Sequence, residues 1–183
     1  MAIKVCKSWA ELRKMLETRL ASGVRGWHIF QPDSAAAPVW EALKDAPVDW
    51  EGAEVLEIGC RPVLRAKAFV ESVGGSYEGV DFAGDPEKHG VISEPAELTE
   101  VPRKSVVLIT TTLQCLRPGL QKELLDAAFK VASRVVLVEH KNFLKLPKSG
   151  IKILHKVEIQ LFNEPHLIVV LEKTKPRRKR RRR

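Results

Sequence analysis

The stretch Val55-Leu56-Glu57-Ile58-Gly59-Cys60 decides how this chain is read. Three aliphatic residues surround one carboxylate, and a glycine stops the run. Such a run reads as a short buried strand that turns sharply at its carboxyl end. Pro62 follows where a helix would begin, and Gly74-Gly75 closes the segment, so residues 62–73 are expected to be helical. Residues 76–82 (SYEGVDF) then read as a second strand ending on an acidic residue, Asp81.

Reading onward, residues 90–93 are a weak third strand. Residues 105–110 (SVVLIT) are almost continuously apolar, as expected of a strand buried on both faces. Pro118 opens a helix carrying Leu120, Leu124, Leu125, Ala128 and Val131. Residues 134–140 form the next strand. Residues 151–161 alternate, which assigns Ile151, Ile153, Val157, Ile159 and Leu161 to one face, with His155 interrupting. Residues 167–173 are another buried strand, reached through an Asn163-Glu164-Pro165 turn. Strand and helix alternate from about 54 to 140, which predicts an α/β protein with a mostly parallel sheet. The last two strands are expected to form an antiparallel C-terminal hairpin. In such sheets ligands bind beyond the carboxyl ends of strands, near the switch in strand order. That rule points at Gly59-Cys60-Arg61, Asp81-Phe82 and Thr110-Thr111-Thr112.

Reading backward, Ser8-Trp9-Ala10-Glu11 has the form of a capping box. Trp9, Leu12, Met15, Leu16 and Leu20 follow at helical spacing, so residues 9–22 are expected to be an amphipathic helix. Residues 27–30 read as a short strand or a packed loop. Ser34 is placed to cap a second helix near 35–45, with Val39, Trp40 and Leu43 on one face. Trp9, Trp27, Trp40 and Trp50 all precede Glu57. They read as a helical layer packed on the sheet, or as a partial roof over the cleft.

The 183 residues suit one domain with a real core. The expected division is 1–52, a helical extension packed on the sheet; 53–174, the α/β body; and 175–183, a disordered tail. Net charge is +8, but residues 177–183 alone carry seven cations. Taking those seven from the 31 Lys and Arg leaves 24 against 23 Asp and Glu, so the body is near neutral. No run of 18 apolar residues exists, which argues against a membrane span. Cys6, Cys60 and Cys115 are widely spaced, with no zinc-ligand pattern; a reducing cytoplasm is expected and no metal site. Two Asn and two Met among many charged residues hint at a thermophile.

VLEIGC (55–60), GVDF (79–82), SVVLITTTLQCL (105–116), RVVLVE (134–139) and the terminal hairpin resemble the class I S-adenosylmethionine-dependent methyltransferases. The resemblance covers about residues 52–174. It implies a Rossmann-like fold with S-adenosylmethionine as cofactor. Glu57 and Gly59 match the first motif, whose turn, continued here by Cys60, approaches the cofactor's amino-acid portion. Asp81 matches the second, where an acidic residue accepts from both ribose hydroxyls, with Phe82 beside it. By position Ser93 or Glu94 would reach the adenine, and Thr111 would line the cleft. The chain departs from the family's E-x-G-x-G-x-G by reading Cys60-Arg61-Pro62-Val63 after Gly59. Arg61 could swing to solvent, pair with the cofactor's carboxylate, or fill the pocket. A nicotinamide-dinucleotide reading is weaker, because G-x-G-x-x-G is absent.

No catalytic residue stands out. Cys115 lacks the Pro-Cys context of a methylating nucleophile and reads as a small buried residue. Cys60 reads as loop packing. His140 is weighed as a general base or a solvated strand-end histidine, and His155 as a core or edge histidine. Methyl transfer needs little acid–base help, since alignment supplies most of the effect. The tail Arg177, Arg178, Lys179, Arg180, Arg181, Arg182 and Arg183 is expected to bind nucleic acid by counterion release. Were all seven to meet duplex phosphates, the salt slope would approach about −6. The function expected is methylation of a nucleic acid, RNA favoured. The alternative is a non-catalytic nucleic-acid-binding protein on the same scaffold.

Overall fold

The computed structural model describes residues 5–21, 37–60, 65–84, 86–87, 89–161 and 163–174. The expected strand at 27–30, the Ser34 cap, Trp27, the Arg61 turn and the 175–183 tail lie outside the described residues. The strands are β1 (Glu54–Ile58), β2 (Ser76–Asp81), β3 (Gly90–Val91), β4 (Val106–Thr110), β5 (Arg134–His140), β6 (Ile151–Leu161) and β7 (Glu164–Lys173). The helices are α1 (Trp9–Ala21), α2 (Ala37–Lys44), α3 (Arg65–Ser72) and α4 (Pro118–Val131). The strands form one sheet in the order β3-β2-β1-β4-β5-β7-β6. β1 through β5 pair in parallel, and β7 runs antiparallel to both β5 and β6.

Each face of the sheet is covered. Leu56, Ile58, Val107, Ile109, Val135 and Leu137 pack with residues of α1 and α4. Val55, Val106, Leu108, Val136 and Val138 pack with residues of α2 and α3. β4 is buried throughout, as its unbroken apolar run requires. Burying one such side chain fully contributes roughly 1.5–3 kcal/mol. The N-terminal helices therefore straddle the sheet, one on each face. Trp9 stacks on Phe82, Trp40 stacks on Phe69, and Trp50 meets Phe69 edge-on. These three tryptophans belong to the packing layer.

β6 corrects the reading of residues 151–161. Ile153 pairs with Leu171 and His155 with Val170, so Leu154 is the extra residue of a bulge. Because side chains alternate with a period of two, one inserted residue exchanges the faces beyond it. Ile151 packs with the α1/α4 side, while Leu154, Val157 and Ile159 pack with the α2/α3 side. The five apolar residues are split between two faces.

The crossover from β5 to β6 is the ten-residue segment 141–150 rather than a helix. Its anchor is Gln121, 1% exposed on α4. Gln121 Nε2 donates to the carbonyls of Leu113, Leu116 and Phe143, and its Oε1 accepts from Lys145 N–H. One amide thus ties α4 to the turn after β4 and to the crossover. Gln121→Leu should leave these buried backbone groups unpaired and cost about 2–3 kcal/mol. Thermal unfolding should show a fall of roughly 5–10 °C; an unchanged midpoint would refute the role given to this amide.

Candidate functional site

The sheet order reverses between β1 and β4, so the carboxyl ends of β1, β2 and β4 frame the cleft. Glu57 sits just below it, 4% exposed. Its Oε1 accepts from Thr110 Oγ1 and its Oε2 from Tyr77 Oη, both at 2.6 Å. Burial pushes the Glu57 carboxyl up to about 7, the two hydroxyl donors oppose that, and the nearby Asp81 charge adds to it. Burial and Glu57 together also push the Tyr77 phenol up, so it stays a donor. Glu57 thus braces β1 against β2 and β4.

Gly59 ends the β1 turn at φ +87°, a conformation that disfavours any Cβ. A Cβ there would also lie 1.9 Å from Thr112 Oγ1. That hydroxyl donates to the Thr110 carbonyl at 3.0 Å. The turn is therefore closed from the β4 side by the chain itself. Cys60 is 3% exposed, and its Sγ occupies the room left by Gly79, 2.9 Å from where a Cβ would stand. Cys60 is loop packing. Asp81, 4% exposed, closes β2, and its Oδ1 accepts from Phe82 N–H at 2.6 Å. Phe82 is fully buried and spends its ring on Trp9. Ser93 lies exposed beyond β3, where its Oγ accepts from Arg13 Nη1 at 3.2 Å. Glu94 follows it, and its N–H donates to Glu97. Thr111 holds φ +49° at the end of β4, with its N–H donating to Val138 O. A threonine in the left-handed region stores strain. Gly59, Asp81 and Thr111 thus lie at the carboxyl ends of β1, β2 and β4, Glu57 lies within β1, and Ser93 follows β3.

Sequence reasoning passed over the carboxylate that organises the far side. Glu139 has no exposed surface. It accepts three successive backbone N–H groups, from Thr112 at 2.9 Å, Leu113 at 2.8 Å and Gln114 at 3.1 Å. Burial pushes its carboxyl up to about 8 against the pull of those donors. A carboxylate inside the run RVVLVEH was the available signal. Gln114 Oε1 in turn accepts from His140 N–H. His140 is 6% exposed, which corrects the solvated reading. Its Nδ1 accepts from Asn142 N–H, so the ring proton is on Nε2, donated to Glu164 at 3.1 Å. Both ring nitrogens are thus engaged within the fold. Gln114 Nε2 and His166 Nε2 are buried without a hydrogen-bond partner among the described residues. Cys115 is buried, and burial with the Glu139 charge pushes its thiol up, the opposite of nucleophile activation. His155 is half-buried beside the bulge. Among the described residues no cluster of three metal-ligating side chains occurs.

Solved methyltransferases match this seven-stranded sheet and its helices over most of the chain. The chain has the class I methyltransferase fold. Magnesium protoporphyrin IX methyltransferase from Synechocystis PCC 6803, solved with bound SAM, is 11% identical with a TM-score of 0.65; the match covers 88% of this chain and 97% of that one. The 1,6-didemethyltoxoflavin-N1-methyltransferase of Burkholderia thailandensis, with S-adenosylhomocysteine, is 14% identical with a TM-score of 0.66, over 90% and 88% of the two chains. A protein of Pyrococcus horikoshii described as a "putative RNA methyltransferase" is 15% identical with a TM-score of 0.53, over 77% and 83%. No family model matches the chain, and no curated protein matches it.

Two outcomes follow from this methyltransferase-fold site. The folded carboxyl of Glu57, raised from 4.5 to about 7, binds its proton more tightly than the unfolded one. Its contribution to stability is therefore full below about 4.5 and lost as pH rises through 7. Glu57→Gln should remove roughly 3 kcal/mol of that pH dependence. Denaturant titrations at pH 5 and 8 would detect it; equal slopes in parent and variant would contradict it. Gly59→Ala should be destabilising by about 2 kcal/mol or more, combining strained φ with the Thr112 clash. Adding Thr112→Ala should recover part of that loss. Strict additivity of the two losses in a double-mutant cycle would argue against the contact.

Proposed function

We propose that this chain is an S-adenosylmethionine-dependent methyltransferase acting on a nucleic acid, RNA in particular. The observation that carries the reading is the placement of Gly59 and Asp81 at the carboxyl ends of adjacent parallel strands, beside the switch in strand order. The fold neighbours solved with SAM or S-adenosylhomocysteine support the cofactor assignment. The donor set also fits: Asp81 is an acceptor already oriented by Phe82 N–H, suited to a ligand presenting hydroxyl donors. Gly59 supplies backbone with no side chain toward the turn.

The cofactor, when bound, supplies a methyl group already activated on a sulfonium. The protein's part is alignment. Asp81 would hold the ribose side, the Gly59–Cys60 turn the amino-acid side, and the Glu139-braced turn 112–114 the wall facing the acceptor. Alignment supplies most of the effect, so the engaged state of His140 is compatible with catalysis. The basic tail and the Pyrococcus neighbour support a nucleic-acid acceptor. A second reading, a non-catalytic nucleic-acid-binding protein, is favoured by Cys60-Arg61-Pro62-Val63 after Gly59 and by Thr112 closing the turn.

Calorimetric titration with S-adenosylhomocysteine tests the choice. Micromolar binding is expected, weakened at least tenfold, about 1.4 kcal/mol, in Asp81→Ala. Labelled methyl should pass from cofactor to RNA and be lost in the same variant. Absence of binding at millimolar ligand would overturn the enzyme reading in favour of the second.

A further inference from the structure

We infer that the folded body carries its own nucleic-acid surface, formed by β6 and the 141–150 crossover. This rests on the nucleic-acid reading above and locates its contact on the fold. Residues 141–157 contain Lys141, Lys145, Lys148, Lys152 and Lys156 and no Asp or Glu. β6 is the edge strand of the sheet, and the crossover returns alongside it. Lys173 stands opposite Ile151 on β7, and Thr174 N–H donates to Gly150 O. That bond fixes the chain's last described residue against the crossover, and the cationic run 177–183 starts three residues later in the sequence.

These charges are uncommitted. Lys145, Lys148, Lys152, Lys156 and Lys173 are all exposed. None has an ion-pair partner among the described residues, whereas Lys141 pairs with Glu158 and Arg134 with Glu172. The register puts Lys156 and Lys173 on the α1/α4 side of this margin and Lys152 on the other, and the nearby Glu158 and Glu172 already pair with Lys141 and Arg134, so the five lysines are a local excess of charge on a near-neutral body. Eleven residues of extended β6 span roughly 33 Å, enough to follow several successive phosphates. Lysine on an edge strand also discourages strand pairing between molecules. That role, however, does not call for Lys145 and Lys148, which lie on the crossover and outside the ladder. A surface made to lie on lipid would intersperse aromatic and leucine side chains. Here the strip's one exposed large apolar residue among the described residues is Ile153. Phosphate backbone, contacted by point charges without base readout, is the partner this chemistry fits.

The test uses the full chain and a labelled single-stranded RNA of about 20 nucleotides, with affinity measured across about 50–200 mM salt. One variant carries Lys145→Gln, Lys148→Gln, Lys152→Gln, Lys156→Gln and Lys173→Gln. A second carries Lys14→Gln, Lys44→Gln, Lys67→Gln, Lys122→Gln and Lys130→Gln, with the same loss of charge on exposed helical positions elsewhere. The first should bind at least tenfold more weakly, with a salt slope shallower by up to about 3.5. The second should change affinity by less than about threefold, since distant exposed charges are screened. Equal effects of the two variants, or parental binding by the first, would overturn the surface. So would stronger binding of the parent to phosphatidylserine vesicles than to RNA, with the same lysines required. S-adenosylhomocysteine titration of parent and first variant separates the two ideas. RNA binding through the margin without cofactor binding would retain the surface and remove the methyltransferase reading. Cofactor binding without RNA binding would do the reverse.

Discussion

The Glu139 carboxylate, wholly buried at the end of β5, accepts the N–H groups of three consecutive residues in the turn after β4. Everything at the cleft depends on that turn. It sets Thr112 Oγ1 against Gly59, places Gln114 Oε1 under His140 N–H, and aims the carbonyls of Leu113 and Leu116 at Gln121. The N-terminal segment adds to it, since Cys6 bonds to Cys115 O and Arg117 N–H through its backbone. A buried acceptor facing several buried donors is costly to disturb on either side, because each orphaned group loses about 1–3 kcal/mol. The turn is consequently held from β1, β5, α4 and the N-terminus at once.

A second buried carboxylate, Glu57, does similar work on the other side of the switch point. It joins β1 to Tyr77 of β2 and Thr110 of β4 through two short hydrogen bonds. The cleft is thus framed by two acidic residues that face inward, leaving Asp81 as the acidic group at the end of β2. This division separates roles that look alike in sequence. Three carboxylates end or nearly end parallel strands, and two of them are structural braces. The same logic explains Cys60 and Cys115, whose thiols are consumed by packing against Gly79 and the Thr111 carbonyl.

Much of the fold was legible in the chain. The buried runs 55–58, 106–110 and 134–140, the Pro118 helix start and the Ser8 capping box are all local signals, and each element appears where its pattern placed it. The failures were of a different kind. The bulge at Leu154 split Ile151 and Ile153 from Val157, Ile159 and Leu161 because one residue in a strand exchanges every following face, and no composition marks it. His140 looked like a solvated strand end, yet Asn142, Glu164 and Phe143 enclose its ring. Those contacts come from the crossover and from the first residue of β7, 24 residues away, where the sequence pattern had placed a turn.

By itself the sequence determined the alternation of strands and helices, the place where β1 turns, and the acidic residue that ends β2. These follow from hydrophobic period and from glycine and proline, which act within a few residues. Tertiary structure decided which carboxylates brace and which remains at the strand end, which thiols are spent, and which lysines are left unpaired along the β6 margin. Those outcomes depend on hydrogen-bond partners and burial contributed by strands 20 to 50 residues apart. The energy of a buried polar group is set by what faces it, and only the folded chain brings those groups together.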